Sequence, residues 1–262
     1  MEAVSVIHGE SPLILSQPHS GTWLPREMAN NLTAAGQELA DTDWHIPRLY
    51  DGLIDNVTIV RANFSRQVID ANRDPMGGSL YPGQTTTELV PLTRFDGEPI
   101  WKQPPDAKQT QDHRLSFHTG YHRALANEIA RVKKIHGVAM LYDCHSIRSH
   151  IPRLFEGTLP DLNIGTNSGE SCDLEIANTV LQLCQNHPLF SHVINGRFRG
   201  GWITRHYGKP KDGVHAIQME LAQRSYLDSE ETPPAYCETK AAPMRALLAN
   251  LLATFQNLPS NQ

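Results

Sequence analysis

Short apolar runs separated by polar stretches set the rhythm of this chain. Pro12-Leu13-Ile14-Leu15-Ser16 is short and almost wholly apolar, and reads as a buried strand. A polar stretch near 26–40 has helical composition. The segment Asp41-Thr42-Asp43-Trp44-His45 could cap a helix running through Ile46 to Leu53. Val57-Thr58-Ile59-Val60 is β-branched and reads as a second strand, leading into residues 63–75, where Pro75 terminates regular structure. Between residues 121 and 135 the spacing of Leu125, Ile129 and Val132 predicts an amphipathic helix that Gly137 stops. A strand at 137–142 follows at once. Next come a helix near 172–186, a strand near 192–195 and a strand at 213–220. A closing helix near 238–255 carries Met244, Leu247, Leu248, Leu251 and Leu252 on one face. Alternating strands and helices predict an α/β protein with a largely parallel or mixed sheet.

Residues 76 to about 118 break this rhythm. They are rich in Gly, Pro, Thr and Gln, and a stretch that long without periodicity reads as a functional loop or lid. The rest shows no linker and no repeat, so 1–262 is expected to form one domain. The net charge of −5 argues against nucleic acid as a partner. No apolar run approaches membrane-spanning length. Met1-Glu2-Ala3-Val4-Ser5 has neither a basic nor an apolar leader character, and the four cysteines show no C-x-x-C spacing. A reduced, cytoplasmic protein is the expectation.

Among 13 histidines, position alone singles out two. Gln17-Pro18-His19-Ser20-Gly21 and Asp143-Cys144-His145-Ser146 each follow an apolar run. Each therefore sets a His at the carboxyl end of a strand, where open α/β sheets collect ligands. Two imidazoles beside acidic residues suit a transition metal. A catalytic zinc takes three protein ligands, and Asp41, Asp43 and Asp143 are the candidates for the third, against the commoner role of Asp as a helix cap. Asp143 shares a strand face with His145, so it would either ligate or orient that ring. Glu220 ends an otherwise apolar strand. A salt-bridged edge residue is the plain alternative, but beside two histidines it reads as the general base for a water. Arg66, Arg73, Arg148 and Arg205 sit in loops or at element ends. Their guanidinium forks suggest a small anionic substrate, although a surface salt bridge is the ordinary role of any one Arg. Cys144 faces away from His145 as a buried thiol, and no G-x-S-x-G elbow supports a serine nucleophile.

These residues resemble the N-formylglutamate amidohydrolase family, related to zinc carboxypeptidases and aspartoacylase. The resemblance rests on Pro18-His19-Ser20-Gly21, Asp41-Thr42-Asp43, the run from Ser65 to Pro75, Asp143-Cys144-His145-Ser146, Asn163-Ile164-Gly165-Thr166, the run from Gly200 to Arg205, and Gln218-Met219-Glu220. It implies a three-layer, zinc-carboxypeptidase-like fold with a mixed, mostly parallel sheet between helices. It also implies hydrolysis of N-formyl-L-glutamate in histidine degradation, with one divalent metal, zinc first. By position, the metal ligands fall on His19, Asp43 and His145, the general base on Glu220, and the substrate carboxylate on Asn72 and Arg73, with Arg66 or Arg205 for the second carboxylate. In the wider group the first His and acid lie three residues apart. Here no acid follows His19 until Glu27, which moves the acidic ligand on to Asp43. Two alternatives remain open: an amidohydrolase of another N-acyl amino acid on this scaffold, and a non-catalytic metal- or amino-acid-binding protein.

Overall fold

The computed structural model describes residues 2–78 and 83–258. Its strands are β1 (Val4–Ile7), β2 (Leu13–Gln17), β3 (Thr58–Ala62), β4 (Ala139–Ile147), β5 (Leu162–Gly165), β6 (His192–Ile194) and β7 (Val214–Ala222). They form one seven-stranded sheet in the order β1-β3-β2-β4-β7-β5-β6. The core β3-β2-β4-β7 is parallel, as is β5 with β6, while β1 on β3 and β5 on β7 run antiparallel. The helices are α1 (Arg26–Asn31), α2 (Ala34–Gln37), α3 (Ile46–Tyr50), α4 (Ala107–His113), α5 (Thr119–His136), α6 (Leu174–Gln185), α7 (Trp202–Tyr207) and α8 (Glu238–Asn257). The three-layer α/β architecture with a mixed, mostly parallel sheet is therefore as expected.

Strand alternation sorts the side chains onto two faces. Leu13, Leu15, Met140, Tyr142, Ile217 and Met219 pack against residues of α3, α6 and α8. Ile14, Leu141, Val214 and Ala216 pack against α5 and Ile203 of α7. Each fully buried Leu or Ile contributes about 1.5–3 kcal/mol. On this second face the chemistry changes at one level across three neighbouring strands. Ile14 gives way to Ser16, Leu141 to Asp143 and His145, and Ala216 to Gln218 and Glu220. The register aligns them: Ser16 lies opposite Asp143, Asp143 opposite Gln218, and His145 opposite Glu220. A polar floor is thus built into an apolar sheet by period two alone.

Several boundaries differ from the sequence reading. The expected helix at 26–40 is two short helices, because Leu32 turns extended to bridge Trp101 and Thr33 caps α2 by accepting from the Gly36 N–H. No acid caps α3, which starts after His45 at a positive φ of 58° and stops at Tyr50. Asp143, His145 and Glu220 lie inside their strands, not beyond them, because β4 and β7 stay paired as far as Ile147 and Ala222. Two four-residue strands, β1 at one edge and β5 between β7 and β6, are not predicted from the sequence. Within 76–118, residues 107–113 form α4 behind an Asp106–Gln109 capping box, and a single π-turn at Arg114–His118 joins it to α5. None of the α4 side chains is buried, so it left no hydrophobic period to read. Residues 79–82 of that stretch lie outside the described ones. The helix predicted at 121–135 forms as α5 and ends at Gly137 with φ 76°, as expected.

Candidate active site

His19 lies two residues past the end of β2, and the Asp43 N–H donates to its carbonyl at 3.1 Å, which folds the 41–45 turn back onto the sheet edge. The Oδ2 of Asp43 then lies 3.1 Å from His145 Nδ1 and 3.8 Å from His19 Nδ1. All three side chains are buried, with one donor atom from each lying within 4.8 Å of the others. The outer nitrogens are tied to carboxylates. His19 Nε2 donates to Asp70 Oδ1 at 2.7 Å, and His145 Nε2 lies 2.9 Å from Asp143 Oδ2. Ser16 Oγ donates to the other oxygen of Asp143 at 2.7 Å. Both rings thus turn Nδ1 inward, which is how a carboxylate fixes the tautomer of a metal-binding His. Two Nδ1 atoms and one carboxylate oxygen are also a donor set that zinc accepts. Asp143 sits outside the cluster as the partner of His145, and Asp41 instead accepts from Arg148 and the Phe95 N–H.

The electrostatics follow from burial and these contacts. Burial, helped by Arg66 and opposed by Asp70, lowers the pKa of His19. Burial also works against charge on His145, but Asp143 and Asp43 override it and raise that pKa well above the ordinary value. For Asp70 burial favours the neutral acid, yet Arg66 and His19 hold its carboxyl well below the usual range. Burial, with Asp43 adding to it and His145 opposing, pushes Glu220 up to about 8. Glu220 accepts a hydrogen bond from Gln218 Nε2 at 2.9 Å, and both line the same pocket as His19 and His145.

The expected substrate-binding residues divide. Asn72 and Arg73 line this pocket. The Asn72 Oδ1 accepts from the Ile203 N–H at 2.8 Å, and its Nδ2 lies 3.0 Å from His145 Nε2. Gly201 permits that placement, since a Cβ there would come within 2.2 Å of Asn72 Nδ2. Arg73 is held by Thr87, whose carbonyl and hydroxyl each accept from it at 3.0 Å. Arg66 also lines the pocket, but its Nη2 donates to Asp70 at 2.6 Å and its guanidinium lies 4.8 Å from the Phe95 ring centroid. Arg205 is not brought here. It follows the first turn of α7 and lines a separate pocket with Glu170, Asp173 and Lys209. In its place Arg197 lines the pocket, its Nε donating to the Leu154 carbonyl at 2.8 Å. The sequence reading missed Asp70, Gln218 and Arg197. Asp70 stands four residues after Arg66 and Gln218 two before Glu220, spacings that were available. Arg197 carries no such signal.

Fold and site together define a class: a hydrolase of the three-layer α/β type, with a buried carboxylate beside paired imidazoles at the sheet's carboxyl edge. The family model for N-formylglutamate amidohydrolase matches residues 11–227. N-formylglutamate deformylase from Pseudomonas aeruginosa is 46% identical over 96% of this chain and 97% of its own. The protein of the same name from Pseudomonas putida is 44% identical over 96% and 95%. Two solved structures share the fold. One is an N-formylglutamate amidohydrolase from Ralstonia eutropha, with a TM-score of 0.82 at 20% identity over 100% of both chains. The other is a gene product of Agrobacterium tumefaciens, with a TM-score of 0.74 at 17% identity over 99% and 97%. The chain belongs to the N-formylglutamate amidohydrolase family.

Proposed function

We propose that this enzyme hydrolyses N-formyl-L-glutamate to L-glutamate and formate, using one divalent cation, zinc by first preference, held by His19, Asp43 and His145. The observation carrying this reading is convergence: Glu220, two imidazoles with inward Nδ1 atoms, and the guanidinium groups of Arg73 and Arg197 meet at one pocket. A cation bound by the three donors would polarise the formyl oxygen and bring the pKa of a water to around 7. The chain supplies the remaining steps. Glu220 takes a proton from the attacking water and delivers it to the departing glutamate nitrogen. With burial raising its pKa to about 8, Glu220 is poised near neutrality to take and return a proton. Arg73 with Asn72 holds one glutamate carboxylate bidentately, and Arg197 takes the second, a role first assigned to Arg66 or Arg205. Arg66 holds Asp70, and through it His19.

The four cysteines are unpaired, three of them buried, which supports a reducing compartment such as the cytoplasm. No helix among the described residues is long and apolar enough to cross a membrane. The test is formate release from N-formyl-L-glutamate by the purified protein, before chelation, after it, and after adding back single metals. Activity lost on chelation and restored by zinc is expected. Turnover that survives chelation would remove the cation from this account, and glutamate binding without formate release would make the protein a binding protein. Running N-acetylglutamate in parallel measures acyl selectivity, for which one methyl supplies about 1–3 kcal/mol.

A further inference from the structure

The pocket's substrate-facing pair, Asn72 and Arg73, sits in an irregular segment, and three successive carbonyls of that segment are anchored from outside. His122 Nε2 donates to the Ala71 carbonyl at 2.8 Å. The Trp202 N–H reaches the Asn72 carbonyl at 3.4 Å. His118 Nε2 donates to the Arg73 carbonyl at 3.0 Å. The two histidines are four residues apart, His118 closing the π-turn and His122 in the first turn of α5, so they stand on one face with ring centroids 4.3 Å apart. A single π-turn in an otherwise α-helical run is a feature that recurs at functional sites.

The tautomers are determined by this geometry. Burial lowers both pKa values, that of His122 to about 3, so each ring is neutral and carries one N–H. A carbonyl accepts only from that N–H, which places both protons on Nε2. The Nδ1 of His122 is then an acceptor and lies 3.1 Å from the Tyr207 hydroxyl, which also donates to the His122 carbonyl at 3.2 Å. Trp202 fills the space between, 4.5 Å from His122 and stacked at 4.1 Å on His206. Neither histidine is among the residues lining the substrate pocket.

The geometry points to His118 and His122 as positioning residues that set where Asn72 and Arg73 meet the substrate carboxylate. This rests on the proposal that those two residues bind that carboxylate. A donor lost from either carbonyl frees the segment that aims a bidentate clamp, and a displacement of about 1 Å in such a clamp is costly. The loss falls on binding common to ground and transition states, so it should appear in KM.

The test is steady-state kinetics on the metal-loaded enzyme with N-formyl-L-glutamate, for His118→Phe and His122→Phe, which keep a ring but lose the donor. KM is expected to rise by about 10-fold or more while kcat stays within about 3-fold. Gln places its amide nitrogen near the position of His Nε2, so His118→Gln and His122→Gln should recover most of the KM. In an Arg73→Ala background, His118→Phe should add less than about 2-fold to the loss in kcat/KM, because it acts through Arg73. Folded Phe variants with unchanged KM, or with reduced kcat alone, would overturn the inference, as would a full repeated loss in the Arg73→Ala background. If the Phe variants do not accumulate as folded protein, Tyr207→Phe removes the hydroxyl that contacts both the Nδ1 and the carbonyl of His122. A raised KM there supports the inference and an unchanged one overturns it. An unaltered protein without turnover would overturn the proposed activity as well, whereas an active one whose variants keep their KM overturns this inference alone.

Discussion

Changing Asp70 to Asn replaces one carboxylate oxygen by an amide NH2 at a fully buried position. Asp70 Oδ1 accepts from His19 Nε2 at 2.7 Å and from the Asn72 N–H at 2.8 Å, while Oδ2 accepts from Arg66 Nη2 at 2.6 Å. An Asn can keep the first two bonds only by pointing its own NH2 at the guanidinium, donor against donor. Turned the other way, it loses His19. Either way Arg66 is left a buried cation whose nearest remaining carboxylate is Asp43, at 3.9 Å. Breaking a buried pair by neutralising one partner costs about 3–5 kcal/mol. Urea unfolding of the metal-free protein at pH 7 measures this without interference from cation binding. Because the Asp70 carboxyl is held well below its ordinary pKa, its contribution is complete above the unfolded value, about 3.9, and is lost as pH falls through the folded value. The gap between wild type and variant should therefore narrow only below pH 4. Adding Arg66→Met to Asp70→Asn removes the stranded cation, and a coupling of about 1–3 kcal/mol is expected. Metal affinity should fall by about 10–100-fold, since His19 loses the group that orients it. A stability loss under about 1 kcal/mol with no coupling would refute this description of the Asp70–Arg66 pair.

Two further outcomes follow from the same geometry. Glu220→Gln keeps the hydrogen-bonding shape beside Gln218 but cannot take a proton, so kcat should fall by about 10²–10⁴ with cation stoichiometry unchanged; turnover within about 10-fold of wild type would take Glu220 out of the mechanism. His122 is neutral when folded because burial lowers its pKa from 6.5 to about 3, so the unfolded chain binds its proton first as pH falls. Its stabilisation is complete above pH 6.5 and is lost towards pH 3, by about 2 kcal/mol at pH 5 from 1.36 kcal/mol per pKa unit. His122→Gln should flatten that part of the stability profile, and an acid limb of unchanged slope would count against a neutral buried His122.

Much of the site was legible because it is written with the period of a strand. Asp143 and His145, like Gln218 and Glu220, are two residues apart, and the same alternation that buries Leu141 and Ala216 turns them to one face. The helix ending at Gly137 was legible for a similar local reason, a repeat of about 3.6 residues closed by a residue that tolerates φ 76°. Helix α4 was hidden because it buries nothing, β1 because none of its four residues is buried and β5 because all four are, so neither strand alternates.

By itself the sequence determined five of the seven segments that enter the sheet and which side chains of β2, β4 and β7 face the polar floor, because alternation is a property of a strand whatever its neighbours. It also determined that two histidines and a glutamate stand near strand ends. Only the tertiary structure decided among the acids. Asp43 stands between the two inward nitrogens because its own N–H closes on the His19 carbonyl, while Asp143, bound to Ser16, can reach only the outer nitrogen of His145. It likewise set Arg197 on this pocket and Arg205 on another, since a side chain's reach across a pocket depends on how distant loops close over the sheet, and no local spacing encodes that.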